Sequence, residues 1–459
     1  MRTKRTRTGC WTCRDAGYKC DEQKPFCGRC LRLEIRCQGY GVRCRWRPVR
    51  TQGSTSMVQH RGVNEATGLE LGLWSPGLST SGLASSEKRL LHYWTNTLSG
   101  LLSASGAPSE RNPFVVHLGA MVLEPSALQS IVLCMSANHL ARSMDDSSLQ
   151  TEAYRHQQSA LRRLQVLVCD PVQSQAQTTL AAVLMMLVAT RLFDEDEGAH
   201  CVNHLQGASA MIGRRFGSAE IQYTPAERFL LSLFSYHDIL SSVSRGAPPL
   251  GKSVGFVAVE DVVRLQRITA VLHLVARVSQ LQQLKTEPGF DVCSFHVTAA
   301  AIEISLHGLG PLSETPKTSC ERDTEATVQA YRHAAFIYLY RVWFDAGAPT
   351  PATLEHVEQC LSALAQALPT SPLVSAHGWP LFTAGCEAIL PSQRELARDR
   401  FEQMYASRRF PSLRRIKGDM EEVWRRKDAE QRVGGLDGMA KVDCIQVILR
   451  GRGREVNFL

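Results

Sequence analysis

Six cysteines between Gly9 and Cys37 constrain this chain more than any other feature: they run Cys10-x2-Cys13-x6-Cys20-x6-Cys27-x2-Cys30-x6-Cys37, two copies of one C-x2-C-x6-C unit laid end to end. Two separate four-thiolate sites need eight sulfurs, so six can serve two metals only if two are shared. A binuclear cluster follows. Zinc suits it, being closed-shell, content with thiolate at about 2.3 Å and without redox chemistry of its own. In each repeat the C-x2-C pair predicts the first turn of a short helix, with the third cysteine arriving on an extended return segment. The repeat therefore predicts a pseudo-twofold miniature domain. A disulfide framework or a set of buried thiols competes, but the spacing has metal-ligand character and no secretory context would oxidise it.

Charge singles out the same stretch. The chain carries a net +8, yet residues 1–50 hold fourteen Lys and Arg against four Asp and Glu, a local +10 that leaves the other 409 residues at about −2. A polyanion would find its complement at the cysteine module. The N-terminus, MRTKRTRTGC, is basic with no apolar run behind it and is not a secretory leader. The most apolar run, Thr178 to Thr190, is thirteen residues, too short for a bilayer and suited to a buried helix. Nine further cysteines lie between Cys44 and Cys444 with no C-x2-C among them and read as ordinary thiols.

Organisation follows composition. Residues 1–8, with Arg2, Lys4, Arg5 and Arg7, read as a disordered basic arm that gathers phosphates and doubles as a nuclear import signal. Residues 9–48 form the metal module, and 49–85, rich in Ser, Gly and Thr without a sustained heptad, a flexible linker. From Ser86, a possible cap, apolar residues take a helical period: Leu90, Leu91, Trp94, Leu98, Leu101 and Leu102 share a face. Further helices are expected near 126–142, 150–168, 177–193, 199–215, 225–244, 259–284, 296–307, 323–346, 352–368, 377–389, 392–408 and 412–428. Strands are nearly absent. The fold class is therefore mainly α: a small metal-stabilised module joined to a large all-helical domain over 86–428, with a Gly-rich, poorly defined segment at 429–459.

The cysteine run closely resembles the Zn2Cys6 binuclear cluster of fungal transcription factors. That resemblance implies two Zn2+ per chain, ligated by Cys10, Cys13, Cys20, Cys27, Cys30 and Cys37, with Cys10 and Cys27 bridging, and Pro25 in the loop joining the halves. The helical region resembles the fungal-specific transcription factor domain through Asn112 to Phe114, Thr178 to Thr190, His204 to Ile212, Tyr236 to Leu240 and Leu381 to Ala388. The implied function is a nuclear, zinc-dependent regulator of RNA polymerase II transcription that binds double-stranded DNA. Arg5, Arg7, Arg14, Lys19, Arg32 and Arg36 are the expected DNA-binding residues. A homodimer through the helical domain and transcriptional co-factors are further partners the family admits; a membrane is not.

One departure from the family stands out. The helix after the second cysteine is expected in the major groove, where a basic pair reads guanine O6 and N7. The positions that do so hold Ala16 and Gly17, and Gly17 is expected to weaken the helix by about 1 kcal/mol. Asp15 is expected to cap the turn or to accept from a cytosine amine. An alternative reading is therefore a co-regulator whose cluster binds protein or non-specific DNA. An enzyme is not expected: the chain lacks P-loop, G-x-G-x-x-G, G-x-S-x-G and H-E-x-x-H motifs. His200 and His204, at i and i+4, have no evident third ligand, and Asp194 to Glu197 read as a solvated turn.

Overall fold

The computed structural model describes residues 9–23, 27–33, 35, 37, 83–104, 112–193, 199–216, 223–251, 266–285, 287–311, 318–344 and 349–434. Side chains of Trp11, Asp15, 199–203, Phe216, Gln266, Val433 and Gly434 are not among those described. The basic arm, the linker up to residue 82 and residues 435–459 fall outside them, as do Arg5, Arg7, Pro25, Arg36, Cys44 and Asp194 to Glu197. The chain divides into two compact units, Met1–Pro48 and Val49–Leu459.

The smaller unit holds α1 (Trp11–Asp15) and α2 (Gly28–Arg32). Each begins immediately after the first cysteine of its repeat, so Cys10 and Cys27 are N-caps and Cys13 and Cys30 sit one turn in. Its described buried cluster consists of Cys10, Cys13, Cys20, Cys27 and Cys30, with Cys37 packed against them. Sulfur takes the place of a hydrocarbon core.

The larger unit opens with α3 (Ser85–Tyr93), a π turn (Trp94–Leu98) and α4 (Ser99–Leu102). Next come α5 (Pro113–Leu123), α6 (Ala127–Met144), α7 (Ser147–Cys169), α8 (Gln177–Phe193), α9 (Ala199–Phe216) and α10 (Pro225–Arg245). It continues with α11 (Gln266–Leu284), α12 (Val292–Gly308), α13 (Ser319–Phe344) and α14 (Pro351–Gln366). A 3-10 turn (Pro372–Ala376) leads to α15 (Gly378–Glu387), α16 (Pro391–Arg408) and α17 (Pro411–Gly434). No strand occurs among the described residues.

Helix starts follow cap chemistry. Ser126, Asp146, Thr224, Asp291 and Thr350 each accept a backbone N–H of their own first turn, and Pro113, Pro225, Pro351, Pro391 and Pro411 occupy first helical positions. At the first helix the expectation was wrong. Ser86 lies inside α3, and the Glu87 carboxylate accepts the Ala84 N–H instead. The π turn has a local cause: Thr95 Oγ1 and Asn96 Nδ2 donate to the carbonyls of Leu91 and His92, side chains competing with the backbone ladder. Helix α5 was not foreseen because its apolar residues fall on every side, although Asn112 caps it by accepting the Phe114 N–H at 2.9 Å.

Packing centres on two helices. The expected core helix, α8, is buried along nearly its whole length and contacts α6, α9 and α10. All ten residues of α15 are buried, against α13, α14, α16 and α17. Trp424 Nε1 on α17 donates to the Gly385 carbonyl at 2.7 Å, and a Cβ at Gly385 would collide with Met420 Sδ. A larger residue there would force the Met420 side chain aside as α17 approaches α15.

Candidate metal centre

Each repeat closes by the same backbone device. The Tyr18 N–H returns to the Cys13 carbonyl at 2.8 Å and the Ile35 N–H to the Cys30 carbonyl at 3.0 Å, equivalent bonds five residues after the second cysteine. In the first repeat the Gly17 N–H also reaches the Arg14 carbonyl, which completes a Schellman motif with Gly17 at φ +74°. That corrects the expectation for Gly17. It lies beyond the end of α1, in left-handed backbone that glycine adopts at low cost, so it carries no helix penalty. It turns the chain so that Cys20 comes back to the sulfurs.

The sulfurs meet in two overlapping groups of four: Cys10, Cys13, Cys20 and Cys27, and Cys10, Cys27, Cys30 and Cys37, all within 4.8 Å of one another in each group. Cys10 and Cys27 are common to both. Their Sγ atoms lie 3.6 Å apart, with Cys13 to Cys27 at 3.6 Å and Cys10 to Cys30 at 3.9 Å. A disulfide needs about 2.05 Å, so these are not disulfides. Four thiolates placed tetrahedrally at about 2.3 Å from zinc would have edges of about 3.8 Å. The donor set fits the metal in chemistry, number and spacing.

Backbone amides complete the sulfur environment. Cys10 N–H and Glu22 N–H donate to Cys20 Sγ at 3.3 and 3.4 Å, Cys27 N–H to Cys37 Sγ at 3.5 Å and Cys30 N–H to Cys27 Sγ at 3.3 Å. Arg29 Nη1 approaches Cys13 Sγ at 3.8 Å. Such donors favour thiolate over thiol. Burial opposes them: it pushes the Cys10 thiol well up and Cys27 to about 12, so the sulfurs need a cation to ionise together.

Two residues that hold the halves together were not foreseen. Asp21 accepts the Gly28 N–H at 2.9 Å and the Arg29 N–H at 2.8 Å, capping α2 from the other repeat. Desolvation raises its carboxyl, but the Gln23, Gly28 and Arg29 amides and the Arg32 charge outweigh that and hold it below the usual carboxylate range. Because the cap lies seven residues before its helix, no local capping signature reveals it. Arg29 also stacks over the Tyr18 ring at 4.0 Å, joining the second helix to the first return segment. Within the first repeat a Cβ at Gly9 would meet Cys20 Cβ below 3.0 Å, and one at Gly28 would displace the Asp21 carboxylate that caps α2.

Around the sulfurs, Arg14, Ala16, Gly17, Lys19 and Arg32 are exposed. His204, weighed as half of a histidine pair, is buried on α9, and the described metal-competent groups include no histidine.

The sequence of the larger unit, residues 89–459, matches the family model described as the fungal specific transcription factor domain. The chain belongs to that family. Its residues 8–47 also match the fungal Zn(2)-Cys(6) binuclear cluster domain, which implies zinc binding. This fungal transcription factor is 22% identical over 447 residues to the phomenoic acid biosynthesis cluster-specific transcriptional regulator of Leptosphaeria maculans, covering 89% of this chain and 82% of that protein. Shorter matches are stronger: 48% over 42 residues to arginine metabolism regulation protein II of Saccharomyces cerevisiae, and 52% over 42 residues to pestheic acid cluster transcriptional regulator 3 of Pestalotiopsis fici. These two cover 9% of this chain and span only 5% and 7% of the relatives' own lengths. No solved structure matches the chain. Among the described residues, no helix of this transcription factor is long and apolar enough to cross a membrane.

Proposed function

We propose that the chain is a nuclear regulator of RNA polymerase II transcription that holds two Zn2+ through Cys10, Cys13, Cys20, Cys27, Cys30 and Cys37, with Cys10 and Cys27 shared. The observation that carries this reading is the pair of four-sulfur groups overlapping at those two cysteines. Bound zinc would neutralise the clustered thiolates and supply much of the module's folding energy. Arg14, Lys19 and Arg32 on the exposed surface, with Arg5, Arg7 and Arg36 flanking them in sequence, would face DNA phosphates and set the module's position.

Guanine recognition by a side chain at position 16 or 17 is not available, since Ala16 and Gly17 offer no hydrogen-bond donor beyond the backbone. Specificity must then come from other groups or from DNA shape. Domain limits of 9–48 for the module and 86–428 for the regulatory domain, a homodimer through the helical unit and transcriptional co-factors complete the proposal.

Titration of the full chain against duplex DNA at increasing salt tests the phosphate contacts. About four to six of them give a log–log slope near −4 to −5. A slope near zero would remove DNA as the partner. Selection on random DNA then separates a sequence reader, which enriches a motif, from a co-regulator, which enriches none.

A further inference from the structure

The larger unit contains an apolar cavity of about 50 Å³ where α4, α5, α8, α10, the 3-10 turn and the α16–α17 junction meet. Phe114, Leu192, Leu233, Val374 and Met404 form its walls. Its polar lining is Tyr236, His237, Ser375 and Arg408, with no Asp or Glu. All four have hydrogen-bond partners among the described residues. Tyr236 Oη meets Tyr331 Oη at 3.3 Å, Ser375 Oγ donates to the Leu101 carbonyl at 2.9 Å, and His237 Nδ1 accepts from Arg191 Nη1 at 2.9 Å.

Arg408 is different. The residue is 6% exposed, yet among the described residues its guanidinium donates from Nη2 alone, to the carbonyls of Ser371 at 2.8 Å and Pro372 at 3.3 Å. Nε is buried without a hydrogen-bond partner. Among the described residues no carboxylate pairs with it, and burial pulls the group down to about 10. A buried guanidinium facing an apolar space without a counter-ion costs free energy that an anion would return. His237 adds to this: with Nδ1 accepting from Arg191, its neutral ring carries the proton on Nε2, a donor rather than a negative charge.

We infer that this cavity binds a short-chain carboxylate, its oxygens on the Arg408 guanidinium and its alkyl chain against Leu233, Val374 and Met404. The volume sets the size. Room for about three to five water-sized groups accommodates a chain of roughly two to four carbons. Arg408 is the donor suited to a carboxylate, since its buried Nε–H has no acceptor and a charge-assisted hydrogen bond to an anion would supply one. This site is independent of the zinc module and of the DNA reading, and its binding is measured without DNA.

The test is calorimetry and thermal melting of the full chain with sodium acetate, propionate, butyrate and octanoate, each against the matched primary amide and sodium chloride at equal ionic strength. The expected result is one saturable site per chain, best for propionate or butyrate and at least tenfold tighter than for the amide. Arg408→Gln should lose it. Leu233→Phe, which fills the cavity and leaves the charge, should lose it too and covers the case in which Arg408→Gln does not fold. No saturable binding, equal binding of amide or chloride, or binding that survives a folded cavity variant would overturn the assignment.

Discussion

Ala16 and Gly17 look interchangeable in a sequence, as two small residues where the family reads bases, but their backbones differ. Ala16 has φ −79° and ψ −3°, which any residue adopts, whereas Gly17 stands at φ +74°. Gly17→Ala should therefore destabilise the module by about 1 kcal/mol, read as a lower zinc-chelator midpoint. Ala16→Lys should leave that midpoint unchanged and tighten DNA binding, because an exposed ammonium is added beside the other basic groups. Equal chelator midpoints for wild type and Gly17→Ala would contradict the turn assignment. Much of the sulfur cluster was legible residue by residue: the cysteine spacing alone predicted that these six side chains gather, as they do in two overlapping groups of four. Asp21 and Arg29 were not legible, since their partners come from the opposite repeat and are set only once the sulfurs have gathered.

Among the elements, α15 and α17 illustrate what pattern can and cannot reveal. Cap residues and prolines begin many of the helices, because those signals act within one turn. Helix α5 and the π turn escaped, one for lack of a period and the other because two polar side chains rewrite the local ladder. The pairing of α15 with α17 was also unreadable, as it depends on a buried charge cluster. Glu387, 1% exposed, accepts from Lys427 at 2.7 Å and from Arg341 at 3.0 Å, and Lys427 also donates to the Cys386 carbonyl at 2.8 Å. Glu387→Ala leaves the Lys427 ammonium buried without its anion and should cost about 3 kcal/mol in urea unfolding. Replacing Glu387 and Lys427 together by Leu and Met should recover most of that loss. A double variant no more stable than Glu387→Ala would show that the ion pair is not what joins these helices.

For the whole molecule, pH acts on the larger unit through buried histidines, while in the smaller it acts through the thiolates that metal would require. Burial, reinforced by Arg191, holds His237 well below its ordinary range; burial, with Arg400 and Arg408, brings His377 to about 3. Both folded values lie below the unfolded value of about 6.5, so the folded state binds fewer protons between the two. Stability is full above pH 6.5 and falls as pH drops toward the folded values, by about 1.4 kcal/mol per unit for each such histidine. Urea midpoints followed by helical circular dichroism at pH 7, 6 and 5 should therefore decline steadily, and a flat series would contradict the buried-histidine account. The smaller unit has instead a core of sulfur, which the proposed zinc ions would hold together. Zinc per chain, determined by elemental analysis of the purified full-length protein and of Cys10→Ser, is the most direct test. The account predicts two zinc ions in the wild type and fewer than two after Cys10→Ser; one or none in the wild type, or two retained in the variant, would contradict it.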